Sequence, residues 1–241
     1  MPESLTVVID SCGSTNAELA KMPEAPHGLV IAARRQTAGR GQRGNSWESE
    51  PDANLTFSIL FRTGLEARRQ FELSMLVSLA VVRFVNELIA PLSARVKWPN
   101  DIYVGDRKIC GILIEHSLMG RELERSIAGI GINLNQKEFL SDAPNPVSVV
   151  QLTGVETDLQ SALERVGELL REEVDSYMAQ PDAELLHARY MAVLWRGEGR
   201  YLFREPQGEP FEASIIDVGH DGMLSLDNGK SYAFKEISYI L

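Results

Sequence analysis

Hydrophobic and polar positions change period along this chain in a way that separates strands from helices. Residues 5–9, 29–33 and 55–61 are short apolar or β-branched runs, the pattern of strands. Residues 71–89 are apolar nearly all round and end just before Pro91, which predicts a helix buried against a sheet and stopped by the proline. In residues 158–178, Leu159, Leu163, Val166, Leu170, Val174 and Tyr177 fall on one side of a helical repeat. A shorter helix is predicted over 182–194. Residues 96–104 read as two β-like pieces joined at Lys97-Trp98-Pro99-Asn100-Asp101. Pro99 cannot donate to a ladder, so a bulge or corner is expected there. Gly105-Asp106 suits a hairpin turn, after which 108–115 is expected to pair with 127–134 through the polar connection around Gly120.

Beyond Trp195 the period shortens. Residues 196–199 read as a linker, and 201–241 as short strands punctuated by Gln207-Gly208, Asp221-Gly222 and Asn228-Gly229. Two domains are therefore expected, 1–195 and 196–241, the second a small five-stranded barrel near the lower size limit for independent folding.

Charge narrows the function classes. A net charge of −10 argues against a nucleic-acid binder, which would be basic. The most apolar stretch, 71–92, is interrupted by Glu72, Ser74, Ser78, Arg83, Asn86 and Glu87, a buried helix and not a membrane span. The first residues carry no secretory signal. Cys12 and Cys110, far apart and outside any CxxC pattern, fit a reduced, cytoplasmic protein in which both fill small core spaces. The four histidines show no zinc-ligand spacing.

Candidate chemistry concentrates in Gly39-Arg40-Gly41-Gln42-Arg43-Gly44-Asn45-Ser46-Trp47. Its glycines allow close backbone approach to a ligand, its arginines suit phosphate or carboxylate, and Trp47 offers a flat apolar face. No GKS or GKT follows, so it is not a nucleoside-triphosphatase phosphate loop; an RNA-binding Gly/Arg tract is the competing reading. With no aliphatic side chain of its own, the loop is expected to become ordered on ligand binding. Ser14 and Thr15 precede Glu18 in a capping-box pattern. They either cap a helix or present hydroxyls and a helix N-terminus to a polar ligand group. Gly111, Gly129 and Gly131 lie inside predicted strands, where glycine costs stability and marks a close approach to the backbone. Lys108 alone reads as a solvated hairpin lysine.

Five segments together resemble the biotin protein ligase family, the biotin–[acetyl-CoA-carboxylase] ligases. They are Ser14-Thr15-Asn16; Gln36-Thr37-Ala38-Gly39-Arg40-Gly41 through Trp47; Lys97-Trp98-Pro99-Asn100-Asp101; 106–115; and Gly129-Ile130-Gly131-Ile132-Asn133. The resemblance spans essentially the whole chain. It implies an α+β fold, a class II aminoacyl-tRNA-synthetase-like mixed or antiparallel sheet with helices, plus a C-terminal SH3-like barrel. The activity it implies forms biotinyl-5′-AMP from biotin and ATP with Mg²⁺, then transfers biotin to a lysine of a biotin carboxyl carrier protein or domain of a biotin-dependent carboxylase.

The resemblance also assigns roles. Lys108 contacts the carboxylate and the α-phosphate and is catalytic, as is Arg40. Ser14, Thr15 and Gln36 bind the ureido ring of biotin, helped by backbone at Gly39, Arg40, Gly111 and Gly129. Trp47 packs over the ligand, although a tryptophan is also ordinary core. Arg40, Arg43, Asn100, Asp101, Lys108 and Asn133 serve the nucleotide, Asp101 the metal, and Lys97 is a supporting charge. The family's usual loop reads GRGRxGRxW, whereas Gln42 and Asn45 replace two arginines here. The catalytic pattern begins within the first twenty residues, so the N-terminal DNA-binding domain some members carry is not expected here. A lipoate ligase or octanoyltransferase shares the implied fold and a strand lysine; the KWPND segment and the glycine loop favour biotin. No nucleic-acid or membrane partner is expected, and a homodimer is compatible with the sequence.

Overall fold

The structure is a computed structural model that describes residues 5–41, 46–140 and 145–240. A seven-stranded sheet organises it. In chain order the strands are β1 (Thr6–Cys12), β2 (Val30–Gln36), β3 (Leu55–Phe61), β4 (Ala94–Lys97), β5 (Asp101–Val104), β6 (Arg107–Met119) and β7 (Glu122–Ile132). They lie side by side as β1-β2-β3-β7-β6-β5-β4. Only β1 and β2 run parallel; the other neighbours are antiparallel. The helices are α1 (Thr15–Ala20), α2 (Gln70–Ile89), α3 (Val149–Thr153), α4 (Leu159–Ala179) and α5 (Ala183–Ala192).

Period-2 alternation sorts the sheet into two faces. Val30, Ala32, Phe57, Ile59, Ala128 and Ile130 join one large core with α2 and α4. The intervening Ile31, Leu60 and Ile127 face the other way and form a small cluster with Leu19 of α1. Gly129 and Gly131 alternate with Ala128 and Ile130, so they lie on this second, α1-bearing face. Helix α2 is buried along most of its length, as its all-round apolar pattern predicts.

Strand limits differ from the expected ones by up to five residues, the largest shifts being extensions, because pairing continues into polar sequence: β7 begins at Glu122 and not at 127, and Ser11 and Cys12 of β1 pair with Arg35 and Gln36 of β2. Lys97-Trp98-Pro99-Asn100-Asp101 forms the corner between β4 and β5, with a cis Trp98–Pro99 bond. The register shift lies elsewhere, between Ile102 and Tyr103: Ile102 pairs with Cys110 and Tyr103 with Lys108. Ile109 is thus the extra residue of a β-bulge. Cys110 is fully buried in the core as expected, but Cys12 is only half-buried at the end of β1.

Beyond α5, six short strands replace the expected five: β8 (Tyr201–Arg204), β9 (Phe211–Ala213), β10 (Ile215–Val218), β11 (Leu224–Leu226), β12 (Ser231–Tyr232) and β13 (Ser238–Tyr239). They form two three-stranded sheets, β10-β11-β12 and β13-β8-β9. Two tryptophans tie them and the 195 junction to the large sheet. Trp98 donates through Nε1 to the Gly222 carbonyl at 2.9 Å, and Trp195 to that of Gly105 at 2.8 Å. No helix among the described residues is long and apolar enough to cross a membrane.

Candidate active site

A cavity of about 460 Å³ opens on the α1-bearing face and reaches the C-terminal strands. Its floor is made by the interior glycines. The Trp47 ring lies on Gly111 and Gly131: a Cβ added at Gly111 would stand 2.9 Å from the indole, and one at Gly131 would overlap it. A Cβ at Gly129 would overlap the Asn16 amide. The close approach that interior strand glycine signals is therefore made by the chain's own Trp47 and Asn16. The indole N–H of Trp47 is buried with no hydrogen-bond partner among the described residues.

At the end nearest β2, Thr15, Asn16, Gln36 and Ser58 are neutral and interlocked, and their chain of bonds ends on the Glu115–Arg40 ion pair. Ser14 is the N-cap of α1 but makes no side-chain cap bond. The expected Thr15–Glu18 capping box does not form. Thr15 is the first helical residue, and its hydroxyl turns into the sheet, 2.6 Å from Ser58 Oγ and 3.3 Å from Gln36 Oε1. The Thr15 backbone N–H donates to the same Gln36 oxygen at 2.8 Å. Glu18 instead pairs with Lys21 at the surface. Ser58 donates to Asn16 Oδ1, and Asn16 Nδ2 donates to Glu115 at 2.7 Å. Glu115 also takes the guanidinium of Arg40 at 3.3 Å.

At the opposite end the groups are charged. Lys108 and Asp101 form a 2.6 Å ion pair, each about three-quarters buried. Without the extra residue at Ile109, Lys108 would follow the alternation of Cys110 and Ile112 into the apolar core. The bulge places it opposite Tyr103 on the site face. Lys97 pairs in register with Asp101 across β4 and β5, yet its ammonium donates to the Tyr103 hydroxyl at 3.0 Å. Burial lowers the Lys97 pKa from its ordinary value, partly offset by Asp101, and burial raises that of Tyr103. Asn100 donates to the Ile112 carbonyl and stands at the cavity wall.

Of the expected site residues, Ser14, Thr15, Gln36, Arg40, Trp47, Asn100, Asp101, Lys108, Gly111 and Gly129 line this one cavity. Gly39 lies beside it, where an added Cβ would stand 2.9 Å from the Trp47 carbonyl and 3.4 Å from the Gln36 amide. Asn133 is different. It is buried, gives its amide to the Val147 carbonyl, and is absent from the lining. Arg43, and the loop positions Gln42 and Asn45 whose ordering on ligand binding was expected, lie outside the described residues. Sequence reasoning missed Ser58, the Asn16–Glu115 link, and Phe234, Lys235 and Tyr239 of the C-terminal segment, which also line the cavity.

Residues 7–133 match the profile of the biotin/lipoate A/B protein ligase family. The bifunctional ligase/repressor BirA of Bacillus spizizenii is 31% identical over 229 residues, covering 91% of this chain and 67% of that protein. The chain belongs to the biotin/lipoate A/B protein ligase family. The matched residues take in β1 to β7, and so every cavity element except the C-terminal segment. Another relative, the biotin–[acetyl-CoA-carboxylase] ligase of Mycobacterium tuberculosis, is 29% identical over 92% of this chain and 83% of its own length. A solved structure of the same fold, a biotin protein ligase from Aquifex aeolicus in complex with biotin and ATP, superposes with a TM-score of 0.78, covers 97% of both chains and is 23% identical.

Proposed function

We propose that the chain is an ATP-dependent biotin protein ligase that makes biotinyl-5′-AMP and passes biotin to a lysine of a biotin carboxyl carrier domain. The observation that carries this reading is the two-ended cavity: a neutral hydrogen-bonding end at Thr15 and Gln36 and a cationic end at Lys108. A ureido ring has N–H donors and a carbonyl to match the first. A lipoyl dithiolane has neither and would leave those groups unpaired, at about 1–3 kcal/mol for each buried group. The relatives whose names state a substrate name biotin, and those that specify an acceptor name acetyl-CoA carboxylase.

In this reading Ser14, Thr15 and Gln36 hold the ring, with backbone at Gly39, Arg40, Gly111 and Gly129 beside it. The indole of Trp47 covers the apolar part. Lys108 screens the repulsion between the biotin carboxylate and the α-phosphate and stabilises charge growing on the phosphate. The carboxylate oxygen bonds to the α-phosphorus, and pyrophosphate leaves with the electron pair of the broken P–O bond. The ε-amine of the carrier lysine then attacks the acyl carbon and displaces AMP. Asn100 stands beside the phosphates. Arg40 ties the loop to β6 through Glu115, and Arg43 serves the nucleotide from the same loop. Asn133 supports the nucleotide side only indirectly, by bracing the 147 backbone. One carboxylate at the cationic end fits a Mg²⁺ shared with substrate phosphates better than a cage made of protein alone. Asp101 would hold that ion, whose chemistry is charge neutralisation on the phosphates.

In this reading the domains fall at 1–195 and 196–241, the protein works in the cytoplasm, and a homodimer is compatible. Incubation with biotin, ATP, Mg²⁺ and a carrier domain, followed by an avidin blot, tests the activity. A biotin-labelled carrier that requires ATP is expected. Labelling by lipoate but not biotin would overturn it in favour of lipoyl transfer.

A further inference from the structure

The hydrogen bonds at the neutral end of the cavity have a direction, and a residue outside the ring-holding set fixes it. Gly111, Leu113 and Glu115 of β6 alternate with Cys110 and Ile112 of the large core, so they share the α1-bearing face. Glu115 stands two residues beyond Leu113, which lines the cavity. An ionised carboxylate only accepts hydrogen bonds. One oxygen of Glu115 takes both the Arg40 guanidinium at 3.3 Å and the Asn16 amide nitrogen at 2.7 Å. The Leu113 carbonyl, also an acceptor, lies 3.4 Å from the same nitrogen. Two acceptors on one side oblige Asn16 to turn its nitrogen toward them and its oxygen toward Ser58. Gly129 leaves room for that oxygen, which an added Cβ would overlap.

The direction then propagates, because a hydroxyl has one proton. Ser58 is fully buried and gives its proton to Asn16 Oδ1. The 2.6 Å contact between Thr15 and Ser58 must therefore run from Thr15 to Ser58. Thr15 spends its proton there, ahead of its longer 3.3 Å approach to Gln36 Oε1. That Gln36 oxygen already accepts the Thr15 backbone N–H at 2.8 Å. Thr15 and Gln36 both line the cavity. They offer it two acceptor oxygens 3.3 Å apart, with no hydroxyl proton left to lie between them. A ligand N–H satisfies such a pair, and a ligand oxygen in the same place is repelled.

We propose that Glu115, acting through Asn16 and Ser58, is a positioning residue that fixes Thr15 as an acceptor and so makes this end of the cavity select a ring N–H. This role rests on the ligase reading for the ring, a cyclic urea, and adds the residue that decides which kind of ring atom Thr15 accepts. The competing role for Glu115 is a loop tether: its carboxylate would only hold Arg40 beside the cavity.

Calorimetry with biotin and with the two cyclic carbamates that carry a ring oxygen in place of one or the other N–H separates these roles. A loop tether acts on all three ligands alike. Wild type should prefer biotin over the carbamate whose oxygen meets Thr15 by about tenfold or more, the scale of one unmatched buried group. Glu115→Lys puts a donor where the acceptor stood, and the preference should fall toward parity whatever happens to the affinities themselves. Glu115→Gln can still accept from Asn16 and should keep most of the preference. Wild type without a preference would overturn the proposal, and a folded Glu115→Lys that keeps it would leave only the tether. Should Glu115→Lys fail to fold, Ser58→Ala decides. It frees the Thr15 proton, so the preference should shrink there too, and an undiminished preference would overturn the relay. Wild type that binds none of the three ligands would instead overturn the ligase reading. The relay is then judged without a ligand, from denaturation midpoints of Ser58→Ala, Glu115→Ala and the double variant. Members of one hydrogen-bond network should show losses that do not add; additive losses would overturn it.

Discussion

The two ends of the cavity are built from one sheet face but organised in opposite ways. At the β2–β3 end, Thr15, Gln36, Ser58 and Asn16 are neutral and hold one another in place before any ligand arrives. At the β6–β4 end the groups are charged: Lys108 rests on Asp101, and Lys97 rests on ring faces. Interlocked neutral groups fix positions and select a ligand by the cost of leaving a donor or acceptor unmatched. An ion pair does not select so finely, but it stores charge that an incoming phosphate can take over with charge-assisted bonds. Recognition is thus placed where groups are immobile, and reaction where charge can change partners.

The largest expected effect is at the charged end. Lys108→Ala should cut biotin-dependent ATP–pyrophosphate exchange by about a hundredfold or more, the scale of losing one electrostatic contact to a transition state. Circular dichroism melting should show a folded protein. Normal exchange in that variant would remove the division of labour altogether.

At the neutral end, Thr15→Val keeps the side-chain shape and deletes the hydroxyl that meets Ser58 and Gln36. Biotin affinity, measured by calorimetry, should weaken by about 1–3 kcal/mol. An unchanged affinity would mean that Ser58 and Gln36 pair without Thr15 and that selection lies elsewhere.

The floor shared by both ends can be broken at Gly131. Gly131→Val would push a branched side chain into the Trp47 ring, an overpacking cost of about 1–3 kcal/mol. Its expected sign is a red-shifted tryptophan emission as Trp47 leaves the sheet, with Trp98 and Trp195 still buried. Unchanged emission and stability would show that the indole does not need the glycine floor.

Much of this arrangement was legible in the chain, and the part that was not has physical reasons. The strands on either side of Gly120 and the long buried helix follow from period and composition, which each residue reports locally. The Ile109 bulge does not, because one inserted residue leaves no mark on composition, yet it decides which way Lys108 faces. The capping pattern at Thr15 and Glu18 misled because a local motif competes with tertiary partners. Ser58, forty-three residues on, takes the hydroxyl. Asn133 sits at the end of a motif that reads as functional, but its amide is spent on the Val147 carbonyl. Phe234, Lys235 and Tyr239 reach the cavity from the far end of the chain, with no motif to announce them.

The smallest effect sharpens the comparison by separating fold stability from chemistry in any pH profile. His116, on β6 beyond the site, is held below its ordinary pKa of 6.5 by burial. The folded state resists its protonation while the unfolded chain accepts the proton. Its contribution to stability is therefore complete above about pH 6.5 and is lost as pH falls toward the lower folded value. The denaturation midpoint of wild type should fall more between pH 7 and pH 5.5 than that of His116→Gln. Equal falls would assign the pH dependence to other groups.

The division between recognition and reaction is tested most directly by one assay: biotin-dependent ATP–pyrophosphate exchange as a function of biotin concentration, with Thr15→Val and Lys108→Ala side by side. Thr15→Val should reach close to the wild-type maximum, but only at higher biotin. Lys108→Ala should remain far below that maximum at every concentration. Two curves altered in the same way, both in midpoint or both in maximum, would contradict the account.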